Sequence, residues 1–208
     1  MDWEAWHAAY DDPSSLLTAR LRQVSQWLSE AIDRAPAGPV RLVSLCAGQG
    51  RDVIGVLPGH SRRDDVRAVL VEAGPRLAEA ARGAAAEAGL AQLEVREADA
   101  AAVASFADAL PADVLLLCGI FGNVSDEDVK RTIEASAAMC TPGATVIWTR
   151  HRLPPDLTPR IRAWFAASGF DELAFAVGRD SLMGLGTNRL LRAATAGLPD
   201  RPLFTFRR

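Results

Sequence analysis

An apolar run at residues 40–46 stops at a short turn of small residues and reopens as a helical pattern near Arg51. A strand that is apolar on both faces is typical of a parallel sheet covered by helices. The turn at residues 47–50 (AGQG) is small enough for a ligand to contact its backbone. The N–H groups of the following helix point back toward the turn. The sequence therefore predicts a cofactor cradle at the end of this first strand.

The residues of the turn and the following helix separate two classes of cofactor. A dinucleotide fingerprint, Gly-x-Gly-x-x-Gly, needs a third glycine where this chain has Val53. Asp52 also places a carboxylate where a diphosphate would bind. S-adenosylmethionine has no phosphate, and its ammonium and sulfonium groups favour a nearby carboxylate. The pattern indicates S-adenosylmethionine rather than a dinucleotide, although Gly48 and Gly50 alone would also fit a tight connection without a ligand.

The composition narrows the function classes. With 208 residues, 49% of them hydrophobic and 24% charged, the chain is expected to form one soluble globular domain. A net charge of −3 provides no basic field for nucleic acid. Three cysteines without a Cys-x-x-Cys spacing argue against a disulfide framework and a zinc site. The sequence shows no signal peptide and no apolar run of about 18 residues, so a cytoplasmic protein without a membrane partner is expected.

Apolar runs alternate with helical patterns along the chain, which predicts a doubly wound α/β fold with a mostly parallel sheet. A loop, rather than a helix, separates the last two predicted strands, so these two strands are expected to pair antiparallel. The predicted strands are residues 40–46, 66–72, 93–97, 113–118, a fifth that follows a turn at Pro142 and Gly143 and ends near Arg150, 172–177 and 187–193. The predicted helices are a first one capped by Ser14 or Ser15, then residues 51–57, 75–88, an alanine-rich helix ending at Leu110, 126–139 and 157–168.

Acidic residues follow two of these strands, at the sheet edge where such folds bind ligands. Glu72 ends its strand 22 positions after Gly50, the separation at which an acid accepts hydrogen bonds from ribose hydroxyls. Asp99 is placed to accept from an adenine amino group, with the Ala100 N–H at a ring nitrogen. Either acid alone is equally typical of a solvated loop carboxylate. The two acids together favour a nucleoside site.

Over residues 40–193 the chain resembles the class I S-adenosylmethionine-dependent methyltransferase family. SLCAGQGRD is similar to the first motif of the family, VLVEAG to the second and EADA to the adenine motif. Ser44 replaces the acid and Cys46 the first glycine of the first motif, and Asp52 is the candidate to take over the contact with the cofactor's amino group. The resemblance implies a Rossmann-like sheet of seven strands with an antiparallel last strand. It also implies S-adenosylmethionine as cofactor and methyl transfer to an O, N or S atom of a small-molecule acceptor.

The strand ends and the N-terminal segment supply the predicted cofactor site. Phe121 is expected either to pack on adenine or close the transfer pocket, or simply to be buried in the core. Asn123 is expected to form a hydrogen bond with cofactor or substrate, or to cap the next helix. Cys46 and Cys118, at neighbouring strand ends, are alternatively interpreted as ordinary buried thiols. The loop CGIFGN lacks the Asn/Asp-Pro-Pro-aromatic run of amino-methylating DNA and protein enzymes. The predicted cofactor-binding residues are Tyr10, Arg20, Cys46, Ala47, Gly48, Gly50, Asp52, Glu72, Ala73, Asp99, Ala100, Cys118, Gly119, Phe121 and Asn123.

Residues 1–39 are expected to form an N-terminal helical lid or arm on a methyltransferase domain at residues 40–208. Trp3, Trp6, His7 and Tyr10 are too many aromatic residues for a solvated arm. Residues 3–20 are therefore interpreted as a lid, with Tyr10 near the methionine end and Arg20 as the partner of the cofactor carboxylate. The alternative is that the aromatic residues only pack this arm on the edge of the sheet.

His151 is the candidate catalytic residue, because it follows a predicted central strand between Arg150 and Arg152. The flanking arginines are expected to lower its pKa below the ordinary value near 6.5 and to keep it neutral as a general base. The two arginines are equally suited to attracting an anionic acceptor. The alternative for His151 is a surface or hydrogen-bonding residue without a catalytic role. No metal is predicted. Three rival functions are a cofactor-binding module without methyl transfer, a site for an intramolecular reaction of the cofactor, and an NAD-dependent oxidoreductase.

Overall fold

The computed structural model describes residues 12, 15–178, 182–193 and 197–207, and in these residues seven strands form one sheet. The strands are β1 (Val40–Leu45), β2 (Val66–Glu72), β3 (Leu93–Glu97), β4 (Ala112–Leu117), β5 (Cys140–His151), β6 (Phe170–Val177) and β7 (Met183–Leu190). The helices are α1 (Leu16–Arg34), α2 (Arg51–Val56), α3 (Pro75–Glu87), α4 (Asp126–Met139) and α5 (Thr158–Ala167), with short 3-10 helices at Leu57–Gly59, Val103–Ser105 and Ala107–Ala109.

The strand order is β3-β2-β1-β4-β5-β7-β6, with β7 antiparallel to both β5 and β6 and all other neighbours parallel. The predicted mostly parallel sheet with an antiparallel last strand is therefore confirmed. The chain moves outward from β1 to β3 and then returns to β4 on the other side of β1. This reversal creates a switch point between β1 and β4, where the two connecting chains diverge and leave a crevice.

Local sequence signals explain where the main helices begin. The Ser15 hydroxyl accepts a hydrogen bond from the Leu17 N–H (3.1 Å) at the start of α1, and Ser125 does the same for the Asp128 N–H (3.0 Å) at the start of α4. Each cap satisfies an N–H group that the helix itself leaves without a partner. The α4 cap is also followed by three acidic residues, which favour a helix N-terminus electrostatically. These caps place both helices where the sequence predicted them.

The sheet is covered on both faces, and neighbouring residues of a strand enter different cores. Trp148 of β5 belongs to the core that also holds Phe165 of α5, while Ile147 belongs to the core that holds Leu28 of α1. Because successive side chains of a strand point to opposite faces, an apolar strand supplies both cores. α1 buries Val24, Trp27, Leu28, Ala31 and Ile32, so most of this helix is part of the layer that covers the sheet. Its first turns alone extend to the sheet edge described below.

The predicted alanine-rich helix before β4 is wrong. Residues Val103–Ser105 and Ala107–Ala109 form two single 3-10 turns instead. The Asp99 side chain accepts from the Ala101 N–H (2.9 Å), and the Ser105 hydroxyl donates to the Asp99 carbonyl (3.0 Å). Such local side-chain bonds compete with helical ones. Phe106 is fully buried between the turns, and its extended φ of −146° interrupts any helix.

Two strand boundaries also differ from the sequence prediction. Pro142 and Gly143 do not precede β5 but lie inside it, at an irregularity where the pairing moves from Ala112–Cys140 to Val114–Thr145. β7 begins at Met183 rather than at residue 187. Residue 186 lies inside β7, and only glycine fits there, because a Cβ atom would lie 2.3 Å from Trp148 Cε2. Tertiary packing thus places glycine in a strand that sequence pattern alone assigns to a loop.

Candidate functional site

A cleft of about 920 Å3 lies at the carboxyl edge of the sheet, at the switch point between β1 and β4. We call Arg20 and residues 46–49, 51–52, 72–77 and 99–100 its β1–β3 half, and residues 118–119, 122–123, 149–151, 183 and 206 its β4–β5 half. The volume is at the upper end of the range of about 300–1,000 Å3 that is typical of small-molecule sites. The predicted site residues that line the cleft are Arg20, Cys46, Ala47, Gly48, Asp52, Glu72, Ala73, Asp99, Ala100, Cys118, Gly119, Asn123 and His151.

The Glu72 carboxylate joins the turns that follow β1 and β2. Its Oε2 atom accepts from the Gly48 N–H (2.8 Å), and its Oε1 atom accepts from the Gly74 N–H (2.7 Å). Each oxygen of an ionised carboxylate has two lone pairs, so both oxygens retain a site for a further donor. Glu72 is therefore fixed in orientation and remains able to accept two hydroxyl groups of a ligand.

The turn after β1 has a left-handed backbone at three residues. Cys46, Gly48 and Gly50 have φ values of 54°, 58° and 67°. A left-handed φ is unfavourable for a residue with a Cβ atom, so Cys46 is held in a strained conformation. The glycine that the family resemblance places at this position is thus explained by backbone geometry. The same geometry aims the Gly48 N–H at Glu72.

Gly50 has a different place from the one predicted, because it does not line the cleft. A Cβ atom at Gly50 would lie 2.6 Å from Leu70 Cδ2 and 2.9 Å from Ile54 Cδ1. Gly50 therefore lies behind the turn and allows α2 to pack directly on β2.

Asp52 and Arg20 bring opposite charges to the cleft from two helices. The Asp52 Oδ1 atom accepts from the Val53 N–H (2.8 Å). Burial raises the pKa of the Asp52 carboxyl, and the positive charge of Arg20 opposes that change. A buried carboxylate in this position favours a cationic ligand group, and Arg20 favours an anionic one. Together they match an amino acid ligand, whose ammonium and carboxylate groups are close together.

The two strand-end cysteines are thiols rather than nucleophilic thiolates. Burial and the negative charge of Asp52 raise the pKa of Cys118 to about 12. Burial, with the charges of Glu72 and Asp99, raises the pKa of Cys46 even further. Since the thiolate is the reactive form, neither residue is prepared for covalent chemistry. All three cysteines of the chain are free.

The loop after β4 is held by its own hydrogen bonds. The Gly119 N–H donates to the Thr149 hydroxyl (3.0 Å) on β5, and the Asn123 side-chain amide donates to the Gly119 carbonyl (2.8 Å). Asn123 therefore shapes the loop and does not cap α4, whose cap is Ser125. The Phe121 side chain is fully buried, with its ring centroid 6.2 Å from that of Trp148. Phe121 thus packs in the core and does not line the cleft, because the loop turns its ring toward the α4 and α5 layer.

His151 ends β5 and lines the cleft beside Gly122. A Cβ atom at Gly122 would lie only 3.0 Å from His151 Cδ2, so glycine leaves the space that the imidazole occupies. Burial lowers the pKa of His151, and the neighbouring Arg150 guanidinium lowers it further. A hydrogen bond with the Gly122 backbone and the charge of Asp156 oppose these effects. His151 is therefore neutral at pH 7 and able to accept a proton.

Phe206 and Met183 also line the β4–β5 half, although the sequence did not predict them. The segment that carries Phe206 crosses the sheet edge, with the Leu203 N–H donating to the Ala101 carbonyl (2.8 Å) and the Arg207 N–H to the Asn123 carbonyl (2.8 Å). No periodic pattern marks this segment, and the only signal is an alternation of aromatic residues at positions 204 and 206. Its place in the cleft depends on contacts with distant parts of the chain.

The predicted contact of Tyr10 with the cofactor lies outside the described residues, as do Trp3, Trp6 and His7. Within the residues that the structure does describe, no cluster of His, Cys, Asp or Glu side chains could hold a metal ion. None of the helices in that same part of the chain is long and apolar enough to cross a lipid bilayer.

A model of the family described as "Putative methyltransferase" matches residues 17–168. No curated protein matches the chain. Among solved structures, an O-methyltransferase family protein from Burkholderia thailandensis is 18% identical with a TM-score of 0.69, over 93% of this chain and 61% of that protein. The family match covers the β1–β3 half of the cleft and all of the β4–β5 half except Met183 and Phe206.

Two further solved structures have the same fold. An O-methyltransferase family 2 protein from Planctomyces limnophilus, in complex with apigenin, is 17% identical with a TM-score of 0.64, over 84% of this chain and 60% of that protein. An RNA methyltransferase from Salinibacter ruber, in complex with S-adenosyl-L-homocysteine, is 19% identical with a TM-score of 0.54, over 85% of this chain and 96% of that protein. This chain spans about three fifths of the two O-methyltransferase family proteins. At these identities the likeness concerns the fold, and it confirms the predicted class I methyltransferase architecture.

Proposed function

Since the chain belongs to the family described as "Putative methyltransferase", we propose that it transfers the methyl group of S-adenosylmethionine to an O, N or S atom of a small-molecule acceptor. Membership of this family supports S-adenosylmethionine as the cofactor. The observation that carries the proposal is the Glu72 carboxylate, which lines the cleft and is held between the Gly48 and Gly74 N–H groups. A carboxylate fixed in this way is prepared to accept the two hydroxyl groups of a ribose.

The chemistry of the β1–β3 half fits the cofactor group by group. Glu72 would hold the ribose hydroxyls, and Asp99 with the Ala100 backbone would hold adenine. The buried Asp52 carboxylate would hold the ammonium group, and Arg20 the carboxylate. When bound, the cofactor supplies a methyl group on a sulfonium, which is a good leaving group for direct displacement.

The protein's own contribution to such a reaction is alignment and the removal of a proton. Holding two reactants in one cleft replaces an encounter in solution, which accounts for much of the rate increase in enzymes of this kind. His151 is neutral at pH 7 because burial and Arg150 lower its pKa. It would accept the proton of an acceptor hydroxyl, amine or thiol as a general base.

The solved structures of similar fold suggest two kinds of acceptor. One of them is in complex with apigenin, a small molecule, and another is an RNA methyltransferase. The net charge of −3 favours the small molecule, because RNA binding depends on neutralising phosphates with basic residues. The apolar side chains of Met183 and Phe206 in the β4–β5 half also favour a small organic acceptor.

Calorimetric titration with S-adenosylhomocysteine and with NADH separates the proposed function from an oxidoreductase. We expect S-adenosylhomocysteine to bind and NADH not to bind. Tight NADH binding without S-adenosylhomocysteine binding would contradict the proposal.

Transfer of labelled methyl groups to a panel of phenols, amines, thiols and an RNA transcript then separates an enzyme from a binding module. Labelled cofactor products without any methylated acceptor would indicate an intramolecular reaction.

The lid formed by residues 3–20 is a separate part of the proposal. It is supported by the first turns of α1, whose residues Leu17, Arg20 and Leu21 line the cleft. Hydrogen exchange of peptides containing Trp6 and Tyr10, with and without S-adenosylhomocysteine, tests this part. We expect ligand to increase their protection. Equal protection in both states would indicate an arm that only packs on the protein.

A further inference from the structure

We propose that Arg150 binds an anionic group, a carboxylate or a phosphate, carried by the methyl acceptor. This inference rests on the proposed function, because it names the class of molecule that the same cleft would methylate. It is carried by a buried cation without a partner of opposite charge on the acceptor side of the cleft.

The Arg150 side chain lines the cleft, although only 8% of the residue's surface is exposed. Its Nη1 atom donates to the Phe121 carbonyl, and its Nε atom is buried without a partner. Among the residues that the structure describes, no acidic side chain forms an ion pair with Arg150. A buried charge is normally paired, because removing it from water costs more than a single neutral hydrogen bond returns. Arg150 therefore lacks the anion that its surroundings require.

The nearest acidic residues are already engaged by other arginines. Asp126 and Asp156 are close enough to affect the charge of Arg150. However, Asp126 pairs with Arg160 (3.2 Å), and Asp156 pairs with the Arg152 Nε atom (2.9 Å). The positive charge of Arg207 acts on Arg150 as well. The positive charge of Arg150 is thus available for pairing with an anionic ligand.

The sheet order shows why this anion would belong to the acceptor. β4 separates β5 from β1, and neighbouring strands lie about 4.8 Å apart, so the end of β5 is roughly 10 Å from the turn after β1. Arg20 of α1 is the candidate for the cofactor carboxylate, and it is close enough to Asp52 of α2 for its positive charge to affect that carboxyl. Arg150 and His151, the candidate base, both line the β4–β5 half of the cleft. An acceptor bound through its anionic group at Arg150 would therefore present its reactive atom near the imidazole.

Guanidinium groups suit this role because their parallel N–H donors match the two oxygens of a carboxylate or phosphate. Phe206 and Met183 line the same half of the cleft and would contact the apolar part of such an acceptor. The simplest probes are therefore benzoate, phenyl phosphate and the neutral benzamide, which share one ring and differ in the attached group.

We would measure binding of these three probes to the protein saturated with S-adenosylhomocysteine, by ligand-observed NMR titration. We expect benzoate or phenyl phosphate to bind and benzamide to bind at least tenfold more weakly, since hydrogen bonds to a charged group are strong. Preference between the two acids distinguishes a carboxylate acceptor from a phosphate acceptor. Equal binding of all three probes, or no binding of either acid, would overturn the proposal.

Arg150→Gln should weaken binding of the preferred acid by at least tenfold. The same change at Arg189, an exposed residue of β7 paired with Asp171, is the matched control and should have no effect. If Arg150→Gln does not fold, Arg150→Lys keeps the charge but loses the parallel donors and should bind the acid less tightly than the natural protein does. Unchanged acid binding in a folded Arg150 variant would contradict the inference. Calorimetry measures the S-adenosylhomocysteine affinity of each variant independently of acid binding. Loss of the cofactor site and loss of the anion site therefore remain distinguishable.

Discussion

The two halves of the cleft differ in how their charged groups are satisfied. In the β1–β3 half, the Glu72, Asp52 and Asp99 carboxylates all accept hydrogen bonds from nearby backbone N–H groups. In the β4–β5 half, Arg150 Nε and His151 Nδ1 are the buried side-chain N and O atoms that have no hydrogen-bond partner among the described residues. The first half is complete in itself, and the second half contains polar groups that the described protein does not satisfy.

This difference shows how one cleft can serve two ligands. Acids fixed by backbone bonds form a preorganised site, which keeps one geometry and recognises one molecule. Buried polar groups normally have partners, so unsatisfied ones indicate a missing ligand, a water or a catalytic role. Under the proposed function, the β1–β3 half would hold the constant cofactor, and the β4–β5 half would hold the acceptor and receive its proton. Four predictions test this division, in order of the expected effect.

The largest effect is expected for His151→Ala. Loss of a general base lowers kcat by roughly 10²–10⁴ and leaves S-adenosylhomocysteine affinity nearly unchanged, because the base belongs to the other half of the cleft. Steady-state kinetics and calorimetry on the same preparation measure both quantities. His60→Gln is the matched control, since His60 is a buried histidine that does not line the cleft. A loss of kcat below about threefold would show that alignment alone suffices.

Glu72→Ala should have the next largest effect, and this effect should appear in the affinity for S-adenosylhomocysteine. It removes the acceptor for two backbone N–H groups and for the ribose, so S-adenosylhomocysteine affinity should fall at least tenfold. Glu79→Ala changes an exposed acid on the adjoining helix α3 and should leave affinity unchanged. Calorimetry measures affinity, and thermal unfolding confirms that each variant is folded. Unchanged affinity in folded Glu72→Ala would break the assignment of this half to the cofactor.

The pH dependence of kcat sharpens the role of His151. Because burial and Arg150 lower its pKa below the ordinary value of 6.5, the residue is neutral at pH 7 and becomes protonated only in more acidic solution. The rate should therefore be constant above about pH 7 and fall below pH 6.5, approaching tenfold per pH unit. This acidic limb should be absent from the residual activity of His151→Ala. A base limb with a midpoint above pH 7 would assign the proton to another group.

The smallest effect concerns backbone strain in the β1–β3 half. Cys46 has a φ of 54°, a conformation that costs a residue with a Cβ atom about 1 kcal/mol or more relative to glycine. Cys46→Ala and Cys46→Gly both remove the thiol, but only the second removes the strain. Urea denaturation should therefore show the Gly variant about 1 kcal/mol more stable than the Ala variant. The reverse order, which is normal for glycine, would show that the turn does not keep this conformation in solution.

The sequence predicted the β1–β3 half well because its residues follow strands whose ends necessarily meet. The glycine turn follows β1, Glu72 ends β2 and Asp99 lies two residues after β3. Neighbouring parallel strands bring their carboxyl ends to one edge of the sheet. The prediction of a helix before β4 was wrong for a different reason. The alanines of this segment favour a helix, but the Asp99 and Ser105 side chains form hydrogen bonds with the local backbone, and the buried Phe106 has a non-helical φ of −146°. Propensity was overridden there by local hydrogen bonds and burial.

The sequence by itself determined the class I methyltransferase sheet, the order of its elements and the acids at the ends of β2 and β3, since these depend on patterns within short segments. Only the tertiary structure decided that Phe121 lies in the core, that Gly50 lies behind its turn and that Phe206 lines the cleft. It alone also showed that Arg150 is buried without an ion-pair partner among the described residues. The physical reason is that burial and charge pairing depend on which distant segments meet, and no local pattern of residues records those contacts.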